Sequence, residues 1–438
     1  MSISNRLAGA ITLALAVAPP TLLATELDYT LYSGIEHSDN INLAANQPIS
    51  QNVFIPGFNF TLQQQGATLQ ANVAGDLQYR DYLGNRFTSQ TQTQLAGQAN
   101  WTVLPDRLDL TAQDYAGVQP VDALVSNGPA NLQQTNVFTL GPTLHFRLGE
   151  TLLGQAELRY INSYAQKTPG FNSQRGEAAL RIVKNISATD QLSANAETRR
   201  TTFVNAQGGP NYSRTELFGR YVSKLKQLDI DAALGWSRLK FDGAAARTVS
   251  SPLARLMVGW RMTERSALTL SASRQYSDAA ESLMQPPGQG AIVNPGGISG
   301  GTNTGNAVIN SQIYLERRLG LTYSFRSQRL LFTAAPDYYK FTYANDPTFN
   351  QTARGGSLGL DYNLRPTLTL STYVRAERLS YQTLARRDRS LGYDLSLIRQ
   401  VNEHWSWRVA FGHQQRSSSA PNQGFQENRI YFGVAYKR

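Results

Sequence analysis

The sequence predicts an all-β fold, a transmembrane antiparallel up-and-down outer-membrane β-barrel of about 20 strands, with 18 as the alternative count. Three observations predict it. Only 16% of the 438 residues are Asp, Glu, Lys or Arg, against about 25% in soluble proteins. Apolar and polar residues alternate along most of the chain, which is typical of strands with two different faces. Short and long connections also alternate, as in bacterial outer-membrane barrels.

The N-terminal segment has a different pattern from the rest of the chain. Its apolar stretch runs from Leu7 to Ala18, directly after an arginine and before two prolines. The stretch is shorter than the roughly 20 residues of a membrane-spanning helix, and its charged start and apolar centre are typical of a secretory signal peptide. We therefore expect residues 1–24 to be a signal peptide and residues 25–438 to form a single barrel domain.

Strand segments follow one another from residue 25 onwards. In one of them, the apolar members of the alternation are Leu228, Ile230, Ala232, Leu234 and Trp236. Nine short joints connect such segments in pairs, near residues 65–66, 105–107, 148–150, 187–189, 226–227, 263–265, 327–328, 365–366 and 402–403. Nine joints connect 18 strands, and one further strand lies before the first joint and one after the last, which gives about 20.

Aromatic residues support this arrangement at the end with the short joints. Four tryptophans lie beside short joints, namely Trp101, Trp260, Trp405 and Trp407. Because aromatic residues gather at membrane–water interfaces, we expect a girdle on the periplasmic side. The last segment contains Phe432 and Tyr436, as a closing strand would, and we interpret Lys437 and Arg438 as a short tail.

Placing the apolar residues outward assigns ten charged residues to the inner face of four consecutive strands. These pore-lining candidates are Glu157, Arg159, Glu177, Arg181, Glu197, Arg199, Arg214, Glu216, Arg220 and Lys224. A barrel of 18 to 20 strands is wide enough for an aqueous channel. The ten residues then have two interpretations: a charged wall that orients a polar or anionic solute, or a ladder of cross-strand ion pairs that stiffens the wall.

The longest connection is expected at about residues 277–310, and the stretch from Ser282 to Leu315 has no charge. It either folds into the channel as a constriction or lies at the surface.

Further cations are expected outside the lumen, in loops or at the rim, where they would bind lipopolysaccharide phosphates or an acidic polymer. They are Arg238, Lys240, Arg247, Lys340, Arg386, Arg387, Arg389 and Arg416. Arg317 falls on the lipid face, which is costly at mid-membrane, so we expect either a bulge or an error in the assigned register there.

Several chemistries have no support in the sequence. Cysteine is absent, and the four histidines lack metal-binding spacing. We find neither a nucleophile elbow nor a phosphate loop. We therefore expect no enzyme activity, no catalytic residue, no cofactor, no metal ion and no nucleic-acid partner. An outer-membrane enzyme that uses His145 or His413 stays an alternative, because barrels bring distant residues together.

One compact motif follows the first strand segment, Asp39-Asn40-Ile41-Asn42-Leu43. From the residues alone it is a polar turn, since Asp-Asn favours turns. The segment resembles the opening of the β-barrel porins encoded with exopolysaccharide biosynthesis genes, the EpsL-like group associated with the PEP-CTERM sorting system. This resemblance implies an outer-membrane protein of a Gram-negative bacterium that takes part in polysaccharide export.

The main hypothesis is therefore a passive outer-membrane channel for export of an exopolysaccharide. The expected partners are outer-membrane lipid and lipopolysaccharide, the polysaccharide substrate and periplasmic export proteins. The closest alternative is a general or nutrient porin for small solutes. A non-conducting barrel that tethers a surface polymer, or an outer-membrane enzyme, is a more distant alternative.

Overall fold

The computed structural model describes residues 25–205, 208–243, 246–284 and 308–438. The expected signal peptide lies outside the described residues. Twenty strands form one antiparallel sheet in which each strand pairs with the next, as the period-two pattern predicts. They are β1 (Thr25–Ser38), β2 (Gln51–Gln65), β3 (Leu69–Leu83), β4 (Gln90–Leu104), β5 (Leu108–Pro120), β6 (Leu132–Arg147), β7 (Leu152–Ala165), β8 (Ser173–Asn185), β9 (Asp190–Phe203), β10 (Tyr212–Lys224), β11 (Leu228–Phe241), β12 (Thr248–Arg261), β13 (Ser266–Asp278), β14 (Ile313–Arg326), β15 (Leu330–Tyr343), β16 (Gln351–Arg365), β17 (Leu368–Tyr381), β18 (Arg386–Gln400), β19 (Trp405–Ser418) and β20 (Phe425–Lys437).

The sheet closes on itself because β1 pairs with both β2 and β20. The last residues take part in this closure. Lys437 is the final residue of β20 and pairs with Thr30, and Arg438 exchanges two backbone hydrogen bonds with Tyr29. The interpretation of Lys437 and Arg438 as a tail was therefore wrong, since their backbone groups complete the sheet at the seam.

All nine predicted short joints are found between paired strands. We call their side of the barrel the turn end and the opposite side the loop end. Connections at the loop end range from residues 382–385 to residues 279–312. The predicted loop at 277–310 is thus displaced by two residues, because β13 continues to Asp278 and β14 begins at Ile313.

The outward face is apolar across the middle of the strands. Leu158, Leu217 and Leu234 are each at least 60% exposed, which is the burial pattern of a barrel that packs against lipid. Trp101, Trp260 and Trp405 are exposed near the turn end, where the girdle was predicted.

Buried side chains concentrate inside the barrel at the loop end. There β13 leads into the short helix α1 (Ala279–Leu283), whose N-cap Asp278 accepts hydrogen bonds from the backbone N–H groups of Ala280 and Glu281. Both alanines of α1 are fully buried. The start of the longest connection therefore lies within the barrel. Among the described residues, no helix has both the length and the hydropathy to cross a membrane.

The β13–β14 hairpin bends inward before it reaches α1. Pairing between β12 and β13 stops at Ala254 and Arg274, whereas β13 and β14 stay paired as far as Asp278 and Ile313. Tyr276, beyond the last β12 pair, packs against buried side chains of β10 and β11 instead of facing outward. This bend brings the acidic residues Asp278 and Glu281, before and within α1, to the wall formed by β8–β10.

Arg317 faces outward without a bulge. It pairs regularly with Arg274 on one side and Lys340 on the other. The expected bulge is therefore absent. The physical reason is the position of Arg317 along the membrane normal. Arg317 is the fifth residue of β14 and lies near the loop end, whereas the cost of an outward cation is greatest at mid-membrane.

Candidate functional site

The ten predicted pore-lining residues all have inward parity on β7–β10, and most of them join one ion-pair network. The pairs run from Glu157 to Arg159, Glu177, Arg199, Glu281, Arg214, Glu216 and Arg255 in turn. We call these eight residues the ion-pair wall. Their role toward a solute stays a prediction, but the geometry agrees with the cross-strand ladder.

Glu281 and Arg255 are the two members of this network that sequence reasoning missed, and Glu281 lies at its centre. Arg199 and Arg214 lie directly opposite each other on β9 and β10, where like charges repel. The Glu281 carboxylate contacts Arg199 and lies 2.6 Å from Nη2 of Arg214. Burial alone would raise the pKa of Glu281, but the guanidinium groups of Arg214 and Arg199 hold the pKa of this carboxyl well below its usual range.

A second buried ion pair anchors the base of α1. Arg175 Nη1 on β8 donates a 2.6 Å hydrogen bond to Asp278, and the Tyr212 hydroxyl donates to the same carboxylate at 2.9 Å. Apolar contacts add to this attachment, since Ala279 and Ala280 pack with Val137, Ile161 and Phe171 of the facing wall. The described ends of the longest connection are thus fixed inside the barrel, as the constriction interpretation predicts.

The other members of the predicted set have separate surroundings. Arg181 donates to Asn195 at 2.7 Å, and Arg220 forms a bidentate pair with Asp231 of β11. Glu197 of β9 lies directly opposite Glu216 of β10. Lys224 is exposed at the turn end of β10.

The neighbouring part of the lumen wall, on β2–β6, presents mainly amide and hydroxyl side chains. Residues in one cross-strand row face inward from five consecutive strands: Gln63, Asn72, Gln98, Gln113 and Thr139. A second row nearer the turn end contains Gln65, Gln70, Asn100 and Thr111. We call these nine residues the amide wall. Strands β2 and β4 have no charged residue at all.

Side chains of the amide wall remain accessible from the lumen. Gln63, Asn72 and Gln98 are exposed, and Gln113 is half-buried. Gln113 Nε2 donates to Gln98 Oε1 at 3.4 Å, and Thr111 Oγ1 donates to Asn100 at 2.8 Å. Each side-chain amide has a hydrogen-bond donor and an acceptor. The residues of the row can therefore replace these weak contacts by hydrogen bonds to other polar groups in the lumen. Sequence reasoning missed this wall because it considered only charged residues.

Two further loops narrow the loop end. The connection at residues 121–131 reaches from β5 to the opposite wall, where Arg386 Nη1 on β18 donates a 2.6 Å hydrogen bond to the carbonyl of Leu124. The same connection touches the loop at residues 39–50, since a Cβ added to Gly128 would lie 2.8 Å from the carbonyl oxygen of Asn42. Only glycine allows this close approach. These loops and α1 together bridge much of the loop end.

The Asp39–Leu43 motif fastens the loop at residues 39–50 to the barrel seam. Asp39 accepts hydrogen bonds from the backbone N–H and the side-chain amide of Asn428 on β20, at 2.8 and 2.7 Å. The Asn40 amide donates to Gln426 and Ala44, and Leu43 has a positive φ of 49°. The predicted turn is therefore present, and its polar residues lock the first loop to the last strand.

The rim cations divide into two groups. Arg238, Lys240, Lys340, Arg387 and Arg389 have outward parity at the loop end, and Arg247 contacts the loop at residues 344–350. Arg386 and Arg416 face inward, where Arg386 bonds Asp388 and Arg416 Nε donates to the Gln423 carbonyl at 2.7 Å. Their predicted position outside the lumen was wrong, because a one-residue change in strand phase reverses the face of a side chain.

The two histidines named in the enzyme alternative, His145 and His413, contact neighbouring side chains of the barrel wall. His145 Nε2 lies 3.0 Å from Asp109 on the inner wall near the turn end, and His413 stacks on Tyr393 with ring centroids 4.9 Å apart on the outward face. No group of three or more His, Cys, Asp or Glu side chains among the described residues has metal-binding geometry.

Comparison with protein families gives one match. Residues 325–438 match the model of a family described as "Putative beta-barrel porin 2". The matched segment runs from the end of β14 to the C-terminus and contains the closing strand. The closed barrel and this match support an outer-membrane β-barrel porin of a Gram-negative bacterium. A search of curated proteins finds no relative of this chain.

Solved structures with a similar trace are large outer-membrane barrels. The FrpB iron transporter from Neisseria meningitidis (F3-3 variant) has a TM-score of 0.48 and 10% identity, over 95% of this chain and 82% of that chain. OccK2 (OpdF) from Pseudomonas aeruginosa has a TM-score of 0.39 and 10% identity, over 94% of this chain and 97% of that chain. At TM-scores below 0.5, these likenesses bear on neither the fold nor the solute of this chain.

Proposed function

We propose that this barrel is an outer-membrane channel through which an exopolysaccharide leaves the cell. The amide wall is the observation that carries the proposal. Its two rows cross neighbouring strands and present amide and hydroxyl groups to the lumen. Sugar hydroxyls are both donors and acceptors, as side-chain amides are, so a sliding carbohydrate chain exchanges one hydrogen bond for an equivalent one at each step.

The lack of charge on this wall suits a long polymer. Each neutral hydrogen bond contributes only about 0.5–1.5 kcal/mol, which permits binding and release. Ionic contacts to a charged wall would hold a charged polymer more strongly. Movement is passive in this proposal, because the chain has no phosphate loop, and synthesis and periplasmic export proteins supply the driving force.

A small-solute porin is the second candidate function, and the bridged loop end favours it. The Arg386–Leu124 bond and the α1 anchors narrow the passage at that end, which suits a disaccharide better than a polymer. Under the export proposal, α1 must leave the ion-pair wall while the polymer passes.

Single-channel conductance in planar bilayers separates these functions. Neutral and anionic polysaccharides are added to one side of the refolded protein at a time. Export predicts conductance that is blocked by a polysaccharide from the turn-end side. Conductance that disaccharides block but polysaccharides do not would support the small-solute porin. A barrel without any conductance would contradict both and favour the tethering alternative.

A further inference from the structure

A cluster of basic side chains lies on the outward face of β14–β18 near the loop end. We call it the basic patch, and its members are Arg317, Lys340, Arg354, Arg378 and Arg389. Their outward position follows from strand parity. Leu319, Leu358 and Tyr393 have the same parity on β14, β16 and β18, and these residues are 49%, 51% and 38% exposed. The patch therefore continues the lipid-facing surface toward the loop end.

The patch consists of two rows of like charges. Arg317 and Lys340 are direct cross-strand neighbours on β14 and β15. Arg274 pairs with Arg317 on β13, but its side chain turns away from the lipid and donates to Ser251 at 3.1 Å. Arg354, Arg378 and Arg389 are direct neighbours on β16, β17 and β18. Like charges opposite each other destabilise a sheet, so this arrangement needs compensation.

Nothing within the described protein supplies that compensation. No ion pair joins any of the five residues to a carboxylate in the described ranges, and the outward positions of β14–β18 contain no acidic residue. Arg354 contacts the face of Tyr338 at 5.8 Å, which leaves its charge in place. Arg317, Arg354, Arg378 and Arg389 are all exposed. The missing anion must therefore come from outside the barrel.

The patch lies at one end of the barrel and on one side of it. On β18, four apolar or aromatic outward residues separate Arg389 from the next outward cation, Arg399, the penultimate residue of the strand. Two further outward cations, Arg238 and Lys240, lie near the loop end of β11. Outward positions near the loop end of β1–β4 are neutral or acidic: His37, Asn52, Asp81 and Thr91. A general girdle would surround the barrel, whereas this distribution leaves β1–β4 without outward cations and indicates a site at the outer leaflet.

We propose that the basic patch binds the phosphate groups of a phosphorylated outer-leaflet glycolipid, lipopolysaccharide. The planar guanidinium fork matches phosphate oxygens in a bidentate manner. With neighbouring strands about 4.8 Å apart, the five strands span about 19 Å, which is wide enough for more than one phosphate group. The bound phosphates remove the repulsion within each row, and the acyl chains of the same lipid cover the apolar surface below it.

The test measures lipopolysaccharide binding to the refolded full chain in neutral detergent by native mass spectrometry. The probe is lipopolysaccharide with phosphorylated lipid A, and the comparison ligand is the same molecule after removal of its phosphates. The variant carries Arg354→Gln, Arg378→Gln and Arg389→Gln together. Because each cation near an anionic lipid surface contributes about a factor of five, the triple variant is expected to bind about 100-fold more weakly.

Arg399→Gln is the matched control, since it removes an outward arginine from the turn end of the same β18. It is expected to bind as the unsubstituted protein does, and heat-modifiable electrophoretic mobility verifies that every variant folds. Dephosphorylated lipopolysaccharide is expected to bind the unsubstituted protein as weakly as phosphorylated lipopolysaccharide binds the triple variant. Equal binding by the triple variant and the unsubstituted protein would overturn the proposal. Displacement of lipopolysaccharide by an equimolar amount of inorganic phosphate would overturn the lipid assignment and indicate a free-anion site.

Discussion

Two neighbouring parts of the lumen wall differ in how their polar groups are satisfied. On the ion-pair wall, buried arginines have fixed carboxylate partners, and Glu281 comes from a different segment of the chain. On the amide wall, Gln98 and Gln113 meet only each other across a 3.4 Å contact and stay accessible. Charge is thus used where a loop must be held, and neutral polar groups lie where the lumen remains accessible. The four predictions below test this division, from the largest effect to the smallest.

Removing the Glu281 carboxylate has the largest expected effect. Breaking a buried ion pair costs about 3–5 kcal/mol of unfolding free energy. For Glu281→Ala we expect a loss of about 3 kcal/mol, at the lower end of that range, because Arg199 still pairs with Glu177 and Arg214 still pairs with Glu216. The α1 segment then leaves the wall, so single-channel conductance rises. Conductance and urea unfolding measure the two effects. Glu157→Ala is the control, because it removes an ion pair whose Arg159 side chain is 40% exposed. If Glu157→Ala changed the conductance as much as Glu281→Ala does, the role of Glu281 as the anchor of α1 would be contradicted.

Acidification is expected to raise the conductance as Glu281→Ala does, but by a smaller amount. The pKa of Glu281 is lower in the folded protein than in the unfolded chain. Its stabilisation is therefore fully present above the ordinary carboxyl pKa of about 4.3 and is lost as pH falls through the folded value. Conductance of the unsubstituted protein should stay constant from pH 7 to about pH 5 and rise only below that range. Glu281→Gln should remove this rise, and an unchanged acid response in that variant would assign it to another group.

The amide wall should affect the solute rather than stability. Gln98→Leu combined with Gln113→Leu removes neutral hydrogen-bonding groups from two strands, so polysaccharide block should weaken about 10-fold. The midpoint of urea unfolding should change little, because both side chains contact the lumen rather than a packed core. Titration of the block in planar bilayers measures the first effect. An equal loss with the control Thr198→Leu, on the outward face of β9, would show that the wall is not the binding surface.

Loss of a half-exposed ion pair should have the smallest effect. The side chains of Arg220 and Asp231 are 37% and 39% exposed, and exposed pairs contribute at most about 1 kcal/mol. Arg220→Gln should therefore lower the unfolding free energy by less than about 1 kcal/mol, without a change in conductance. A larger loss, measured by urea unfolding, would show that all ion pairs on this side act as anchors.

The local sequence pattern was sufficient to predict the strands, but it was not sufficient to predict which face every residue occupies. Period-two alternation predicted 20 strands and the nine turns, because each depends on residues that are neighbours in sequence. The phase of a strand, meaning which of its alternate residues face inward, depends on the residue at which the strand begins. Arg386 and Arg416 were assigned to the wrong face because they lie at strand ends next to loops. The depth of Arg317 was misjudged for a similar reason, since the period does not give the height of a residue along the barrel.

The sequence by itself determined the barrel, its closure by about 20 strands, the inward parity of the ten charged residues and the turn at Asp39–Leu43. Only the tertiary structure decided that Glu281 lies between Arg199 and Arg214, that the loop at residues 121–131 reaches Arg386, and that Lys437 and Arg438 complete the seam. The physical reason is distance along the chain. Alternation records which face a residue occupies, whereas contacts across the lumen join strands far apart in sequence and depend on which loops bend inward.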